Sequence, residues 1–500
     1  VTTGDARGVG ARCEGPGEVH MASVKAWKYG DPSAPEFPSD FEIVKKAVLQ
    51  VTDIKTNHNK YYGIELHKGL VKGKPTYRVF THYGRTDDLE NNPDAGQKEC
   101  RHAVTEGEAG AIYQTIYGEK TSPKKGYKEL ALASSKIGSQ KARGTSSGEL
   151  DRKTVQKLAE QNAARGIAPA VKKTSLHPQV QSLIGYIYAE ATEALTSTVQ
   201  AKITAQGIET PLGILTLGQI EKGEDILQDL YTLFKKGSSN RSKMEDLSSD
   251  FYTCIPHRIG RSRAALDSAV IATLDDFNTK QETLQLMKDM LQVNGDGGGV
   301  LYDSQVEAKY DALKCHVNAL DAGTDEYRRV ADHVIKSQLK TKTLKVLNVY
   351  TLRRDNEHQV FTGEIANQRL LFHGSRIKNW VGILSRGILL PKIVVSLGVN
   401  RTDAGWLGNG IYFGDASCTS AGYTSPGKLG TRFMALANVA LGAMKDYTKI
   451  TYGITAPPAG YHSCHGVRAK AGVTSQFADD EYVIYDSRQQ RLDYLVEFKM

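Results

Sequence analysis

The chain has no apolar run approaching the ~18 residues that a membrane-spanning helix needs, and no hydrophobic signal core near its start. Neither a membrane protein nor a secreted one is expected. Cysteine is scarce and scattered: the six cysteines stand at 13, 100, 254, 315, 418 and 464, with no Cys-x-x-Cys pair. That spacing argues against a zinc finger and fits reduced thiols inside a cell. His462 and His465 crowd Cys464 too closely to hold a structural zinc alone, so no metal is expected. A dinucleotide-binding fingerprint is missing too. The glycine-rich run 294–299 lacks the strand before and the helix after that such a fingerprint requires.

What is present is ordinary for a soluble globular protein: 40% hydrophobic and 24% charged residues. Five hundred residues exceed what one core organises, so two to four domains are expected. The net charge of +8 is unevenly spread. Residues 120–143 hold Lys120, Lys124, Lys125, Lys128, Lys136, Lys141 and Arg143 against the single acid Glu129. Such a stretch suits a polyanion, or is a solvated loop.

Residues 1–20 are glycine-rich and without periodicity. With the three-proline stretch 29–40 they are read as a tail and linker, 1–40, outside the fold. Residues 41–150 read as a small α+β module. Tyr62, Ile64 and Leu66 alternate, as do Tyr77, Val79 and Thr81, and Lys72-Gly73 supplies the turn of a hairpin. Ala109, Ile112, Tyr113 and Ile116 are spaced for one helix face. A linker is expected over 151–175. An all-α region follows over 176–293, with a capping box predicted at Thr216 and Gln219 and an apolar stripe Ile220, Leu227, Leu230 and Phe234. The glycines of 294–299 should end that bundle.

The last segment, 294–500, carries the chemistry. Arg369-Leu370-Leu371-Phe372-His373-Gly374-Ser375 reads as a buried strand delivering His373 to its end, where Gly374 allows a ligand close to the backbone. Alone, it reads as a core strand with a capping histidine. Two further short strands, Gly410-Ile411-Tyr412-Phe413 and Glu481-Tyr482-Val483-Ile484, flank a short helix at Ser420-Ala421-Gly422-Tyr423.

His-Gly-Ser, Gly-Ile-Tyr-Phe and Glu-Tyr in this order resemble the catalytic domain of poly(ADP-ribose) polymerases. Two upstream blocks extend the resemblance. Pro211-Leu212-Gly213 and the run 247–257 resemble that family's helical regulatory domain, which screens the NAD site until DNA binding loosens it. Tyr83-Gly84-Arg85 resembles the Trp-Gly-Arg motif of the WGR domain, with tyrosine replacing tryptophan. The implied fold is multidomain α+β: a WGR-like module, a helical bundle, and a mixed or antiparallel split-sheet transferase domain.

The resemblance implies specific roles. His373, Gly374, Ser375, Asn379, Tyr412, Ser420 and Tyr423 bind NAD+, which is consumed as a substrate. Glu481 stabilises positive charge developing at the ribose as nicotinamide leaves, beside His373 and Tyr412. Thr419 stands where close relatives carry a lysine. Tyr83, Arg85, Lys124, Lys125 and Lys128 are the expected DNA contacts. The expected protein is a nuclear enzyme stimulated by DNA strand breaks, acting on acceptor proteins including itself and adding ADP-ribose polymers. The rival readings are transfer of a single unit and a catalytically weak scaffold that binds DNA ends.

Overall fold

The computed structural model describes residues 24–90, 92–143, 175–199, 201–204, 207–235, 240–257, 259–296, 306–339, 343–390 and 405–500. The tail read at 1–20 and most of the linker read at 151–175 lie outside these. Two compact units are present, the first comprising residues to Gln50, Lys60–Glu129 and Ile137–Arg143.

The first unit is a six-stranded sheet with one helix. Its strands are β1 (Trp27–Lys28), β2 (Glu42–Asp53), β3 (His58–Val71), β4 (Lys74–Arg85), β5 (Gln97–Ala103) and β6 (Lys128–Glu129), ordered β1-β5-β4-β3-β2-β6. The β3–β4 hairpin turns at Lys72 and Gly73, both with positive φ, the two-residue geometry that matches strand twist. Helix α1 (Glu106–Thr121) starts where the Thr105 hydroxyl accepts from the Glu108 amide. Its face of Ala109, Ile112, Tyr113 and Ile116 is buried with Tyr62, Ile64, Leu66, Tyr77 and Val79. Residues 29–40, read as a linker, are anchored. Phe37 lies under the Arg78 guanidinium at 4.1 Å, and the neighbouring Phe41 ring stacks on His67 at 4.1 Å. The proline count signalled a break in secondary structure; the aromatics between the prolines supply the packing.

The second unit holds the rest. A small sheet, β7 (Leu132–Ser135), β8 (Lys202–Thr204), β9 (Gly207–Glu209) and β10 (Gly213–Leu215), accompanies the helices, so the region 176–293 is not helix throughout. Pro211-Leu212-Gly213 makes the β9–β10 turn, where Thr210 and Gly213 exchange backbone hydrogen bonds of 2.8 and 3.2 Å. The helices are α2 (Pro178–Thr198), α3 (Leu217–Lys235), α4 (Arg241–Cys254), α5 (Arg263–Ala269) and α6 (Leu274–Asp296). Half of the predicted capping box forms: the Thr216 hydroxyl accepts from the Gln219 amide at 3.2 Å. The Gln219 side chain does not answer. Fully buried, it accepts from the Ala131 amide at 2.9 Å and donates to the Cys254 carbonyl at 3.2 Å. Buried backbone groups that need partners outcompete the local cap. Helix α6 also runs on through Asn294 and Gly295 rather than stopping before them.

Beyond the bundle lies a nine-stranded sheet: β11 (His316–Ala319), β12 (Lys345–Arg353), β13 (Gln368–Gly374), β14 (Ile411–Gly414), β15 (Arg432–Ala440), β16 (Met444–Tyr447), β17 (Ser463–Gly466), β18 (Glu481–Ile484) and β19 (Gln490–Lys499). The order is β11-β12-β19-β15-β13-β14-β18-β17-β16, antiparallel except for β16 and β17. Strands β13 and β14 meet at a single registered pair, Phe372 against Gly414, whereas β13 pairs with β15 over seven residues. The sheet is therefore nearly split at β13/β14. Intervening helices are α7 (Val306–Ala312), α8 (Asp325–Lys336), α9 (Asp355–Val360), α10 (Trp380–Arg386) and α11 (Ser417–Ala421). One apolar cluster runs from Ile184, Phe251 and Met287 of the bundle to Trp380, Ile411 and Phe433 of the sheet domain, so the two share a core.

Candidate active site

The split in the sheet opens onto a cavity of about 680 Å³. Its lining includes all eight residues expected at the catalytic centre: His373, Gly374, Ser375, Asn379, Tyr412, Ser420, Tyr423 and Glu481. The strands dictate the arrangement. β13 ends on His373-Gly374, β14 carries Tyr412, and β18 begins with Glu481 opposite Gly414.

His373 is oriented by one bond. Its Nδ1 lies 3.0 Å from the Tyr412 carbonyl oxygen, which can only accept, so Nδ1 carries the proton. Burial pushes the imidazole below its ordinary pKa against that hydrogen bond, favouring the neutral ring. Nε2 is then an acceptor, suited to a sugar hydroxyl. Gly374 cannot be replaced without displacement, because a Cβ there would overlap the Ser420 carbonyl. The Ser420 hydroxyl donates to the Phe372 carbonyl at 3.1 Å, keeping its lone pairs available. Asn379 donates to the Ser375 hydroxyl at 3.1 Å. The Tyr412 hydroxyl donates to the Gly408 carbonyl at 2.6 Å and accepts from the Leu407 amide at 3.0 Å, so the ring is a fixed wall. Tyr423 is 51% exposed and lines the cavity with an aromatic ring, a side chain suited to stacking on a flat ligand ring.

Glu481 is 8% exposed, and its Oε2 is buried without a hydrogen-bond partner. Burial, with a smaller contribution from Asp479, raises its carboxyl to about 7. A buried carboxyl oxygen without a partner is costly to keep unless a ligand supplies one. Thr419 donates to Asp479 at 2.7 Å, placing a neutral hydroxyl beside these carboxylates.

Sequence reasoning missed the bundle's share of the lining. Asn278, Gln281, Glu282, Gln285 and Asp289 of α6 face the cavity. Asp289 pairs with Arg386, while Glu282 lies 3.0 Å from Arg376 and 3.1 Å from Lys378. The signal was available as polar residues at three- and four-residue spacing, opposite a buried stripe of Phe277, Leu284, Met287 and Met290.

The expected DNA contacts lie in the first unit. The Tyr83 ring stacks on Tyr62 at 5.1 Å, and its hydroxyl lies 2.8 Å from Gln97 and 2.9 Å from Glu99. Arg85 pairs with Asp87 at 3.1 Å. Lys124 and Lys125 are exposed beyond the end of α1, and Lys128 lies half-buried in β6.

Three family models match successive parts of the chain. Residues 324–476 match the poly(ADP-ribose) polymerase catalytic domain, 174–295 its regulatory domain, and 45–133 the WGR domain. The catalytic match stops short of Glu481, which β18 joins to the domain by pairing with β14 and β17. The chain is 33% identical over 346 residues to protein mono-ADP-ribosyltransferase PARP4 of Homo sapiens, covering 69% of this chain and 19% of that one. It is 25% identical to protein mono-ADP-ribosyltransferase PARP3 of Mus musculus, over 90% of this chain and 87% of the relative. Identity to poly [ADP-ribose] polymerase 1 of Caenorhabditis elegans is 26%, over 91% of this chain and 49% of the relative. It thus spans about a fifth of the first of these proteins and half of the third. With WGR, regulatory and catalytic domains following one another along it, the chain belongs to the poly(ADP-ribose) polymerase family.

Proposed function

We propose that this protein transfers ADP-ribose from NAD+ to protein acceptors. The observation that carries the reading is Glu481, a buried carboxylate with an unpartnered oxygen, in one cavity with His373, Gly374 and Ser420. His373 Nε2 accepts from an adenosine ribose hydroxyl. The Gly374 backbone and the Ser420 hydroxyl hold the carboxamide, and Tyr423 stacks on the leaving ring. Glu481 takes a ribose hydroxyl and stabilises the positive charge that grows at the sugar as the glycosidic bond lengthens. NAD+ is spent as a substrate, and the residues that meet it supply only hydrogen bonds, stacking and one negative charge.

The domains are taken as 41–150 for DNA binding, 176–293 for regulation and 294–500 for catalysis. DNA with strand breaks stimulates transfer, acceptors include the protein itself and chromatin or repair proteins, the product is polymer, and the enzyme works in the nucleus. A second reading, transfer of single units, is favoured by Thr419, whose hydroxyl beside Asp479 brings no positive charge to the acceptor side. Labelled NAD+ with and without nicked or blunt DNA, resolved on a gel, tests all of this. A smear that needs DNA supports polymer synthesis, and a sharp band supports single-unit transfer. No label on any protein rejects the transferase.

A further inference from the structure

Glu481 has no partner for Oε2, so side-chain hydrogen bonding does not fix that oxygen. Its direction comes from the backbone that carries it. Side chains alternate along a strand, so the residues on either side of Glu481 point to the opposite face of the sheet. Those residues, Asp480 and Tyr482, both engage His465.

His465 stands opposite Tyr482 in the β17–β18 register, and the two rings stack at 4.7 Å and 5°. Its Nδ1 lies 2.8 Å from Asp446 Oδ1 on β16, and its Nε2 lies 2.9 Å from Asp480 Oδ1. One ring thus meets a carboxylate oxygen on each side and links β16 to the residue that precedes β18. Asp480 is held further by Arg468, whose amide lies 3.0 Å from Oδ1 and whose guanidinium lies 3.0 Å from Oδ2. Burial alone would raise the Asp480 carboxyl. The Arg468 amide, His465 and the Arg468 charge outweigh it and hold the group below its ordinary value. The Tyr482 hydroxyl accepts from Arg369 at 3.0 Å. Neighbouring charge on this face also includes Asp415, whose carboxyl is raised by burial and by Asp480.

We propose that His465, bridging Asp446 and Asp480 behind the sheet, is a positioning residue that aims the Glu481 carboxylate into the cavity. It acts through the backbone and touches no substrate, and it rests on the transferase reading above. Loss of the ring removes both bonds at once and unties β16 from Asp480, the residue before β18.

The test uses the full chain as wild type, His465→Gln, His465→Arg and Asp446→Asn. It records NAD+ turnover and hydrogen exchange of amides 481–483. Expected for His465→Gln is a fall in kcat of about tenfold or more, with KM for NAD+ within about twofold, and amide exchange at least about tenfold faster. His465→Arg, whose planar cation forks between two carboxylates, recovers most of the rate. Asp446→Asn weakens one of the two bonds, so kcat falls by about threefold with KM for NAD+ within about twofold. Wild-type kcat and unchanged exchange in His465→Gln overturn the proposal. So does a rate in His465→Arg no higher than in His465→Gln. Asp446 is largely exposed, so if His465→Gln fails to fold, wild-type kcat and exchange in Asp446→Asn decide against the proposal. A wild type that never cleaves NAD+ rejects the transferase reading, while the exchange comparison still judges His465.

Discussion

Asp289 and Arg386 form a two-pronged ion pair, Nε to Oδ1 at 2.6 Å and Nη2 to Oδ2 at 2.9 Å, tying the regulatory helix α6 to α10 at the cavity wall. Asp289 is almost fully buried and also accepts from Gln285 at 2.9 Å. Breaking one side of a buried pair costs about 3–5 kcal/mol, because the remaining charge is left uncompensated.

Asp289→Asn should therefore loosen α6 locally. The expected outcome is NAD+ turnover without DNA raised about threefold or more, with faster exchange of amides 274–296. The shift is a population effect, in which apparent affinity follows the open fraction. Deleting the bundle outright is a poorer test, since its core is continuous with that of the catalytic sheet. Unchanged basal turnover with faster exchange would show that the helix does not gate the site.

Glu481→Gln should keep NAD+ binding within about threefold and lose about a hundredfold or more in kcat, since a charge stronger in the transition state is removed. The wild-type carboxyl titrates at about 7, so kcat/KM should rise with pH through that value, and the mutant should lack this acid limb. Stability has the opposite sense. A carboxyl raised by folding favours the fold fully below its unfolded pKa near 4.5, and that contribution is lost as pH rises through about 7. Glu481→Gln should accordingly raise Tm at pH 8 by several degrees and leave it nearly unchanged at pH 4. A Tm difference independent of pH would show that the carboxyl is not perturbed.

Gly374→Ala places a methyl into the Ser420 carbonyl, with the Thr424 methyl 3.2 Å away. The backbone of β13 or of α11 must move, at about 1–3 kcal/mol. Expected are a lower Tm and at least about tenfold weaker binding of nicotinamide-site ligands, measured by calorimetry. Unchanged ligand affinity would remove the Gly374 backbone from the site.

In the first unit the exposed lysines and the paired arginine should separate. Lys124→Gln with Lys125→Gln should reduce the slope of log DNA affinity against log salt by about one to two units. Arg85→Ala, whose guanidinium is held by Asp87, should change affinity less than about twofold. Fluorescence anisotropy over a salt series measures both, and the reverse ranking would return the DNA contact to the Tyr83-Gly84-Arg85 corner.

Much of this protein was legible along its sequence because the signals are local. Alternation over 62–66 and 77–81 sets the hairpin, Lys72-Gly73 supplies its two positive φ angles, His373 and Glu481 sit at strand ends, and Tyr412 lies within a short strand that follows Gly410. Each is decided by residues a few positions apart. Tertiary structure decided what depends on partners distant in sequence. Gln219 abandons its cap for Ala131 and Cys254, and Phe37 turns an apparent linker into packed structure. Thr419 meets Asp479 across sixty positions, and Asp289 reaches Arg386. The same holds for the carboxylate at the centre. A glutamate at the start of a strand is written in the sequence, but its burial, its unpartnered oxygen and the His465 bridge behind it arise only when β14, β16, β17 and β18 are assembled side by side.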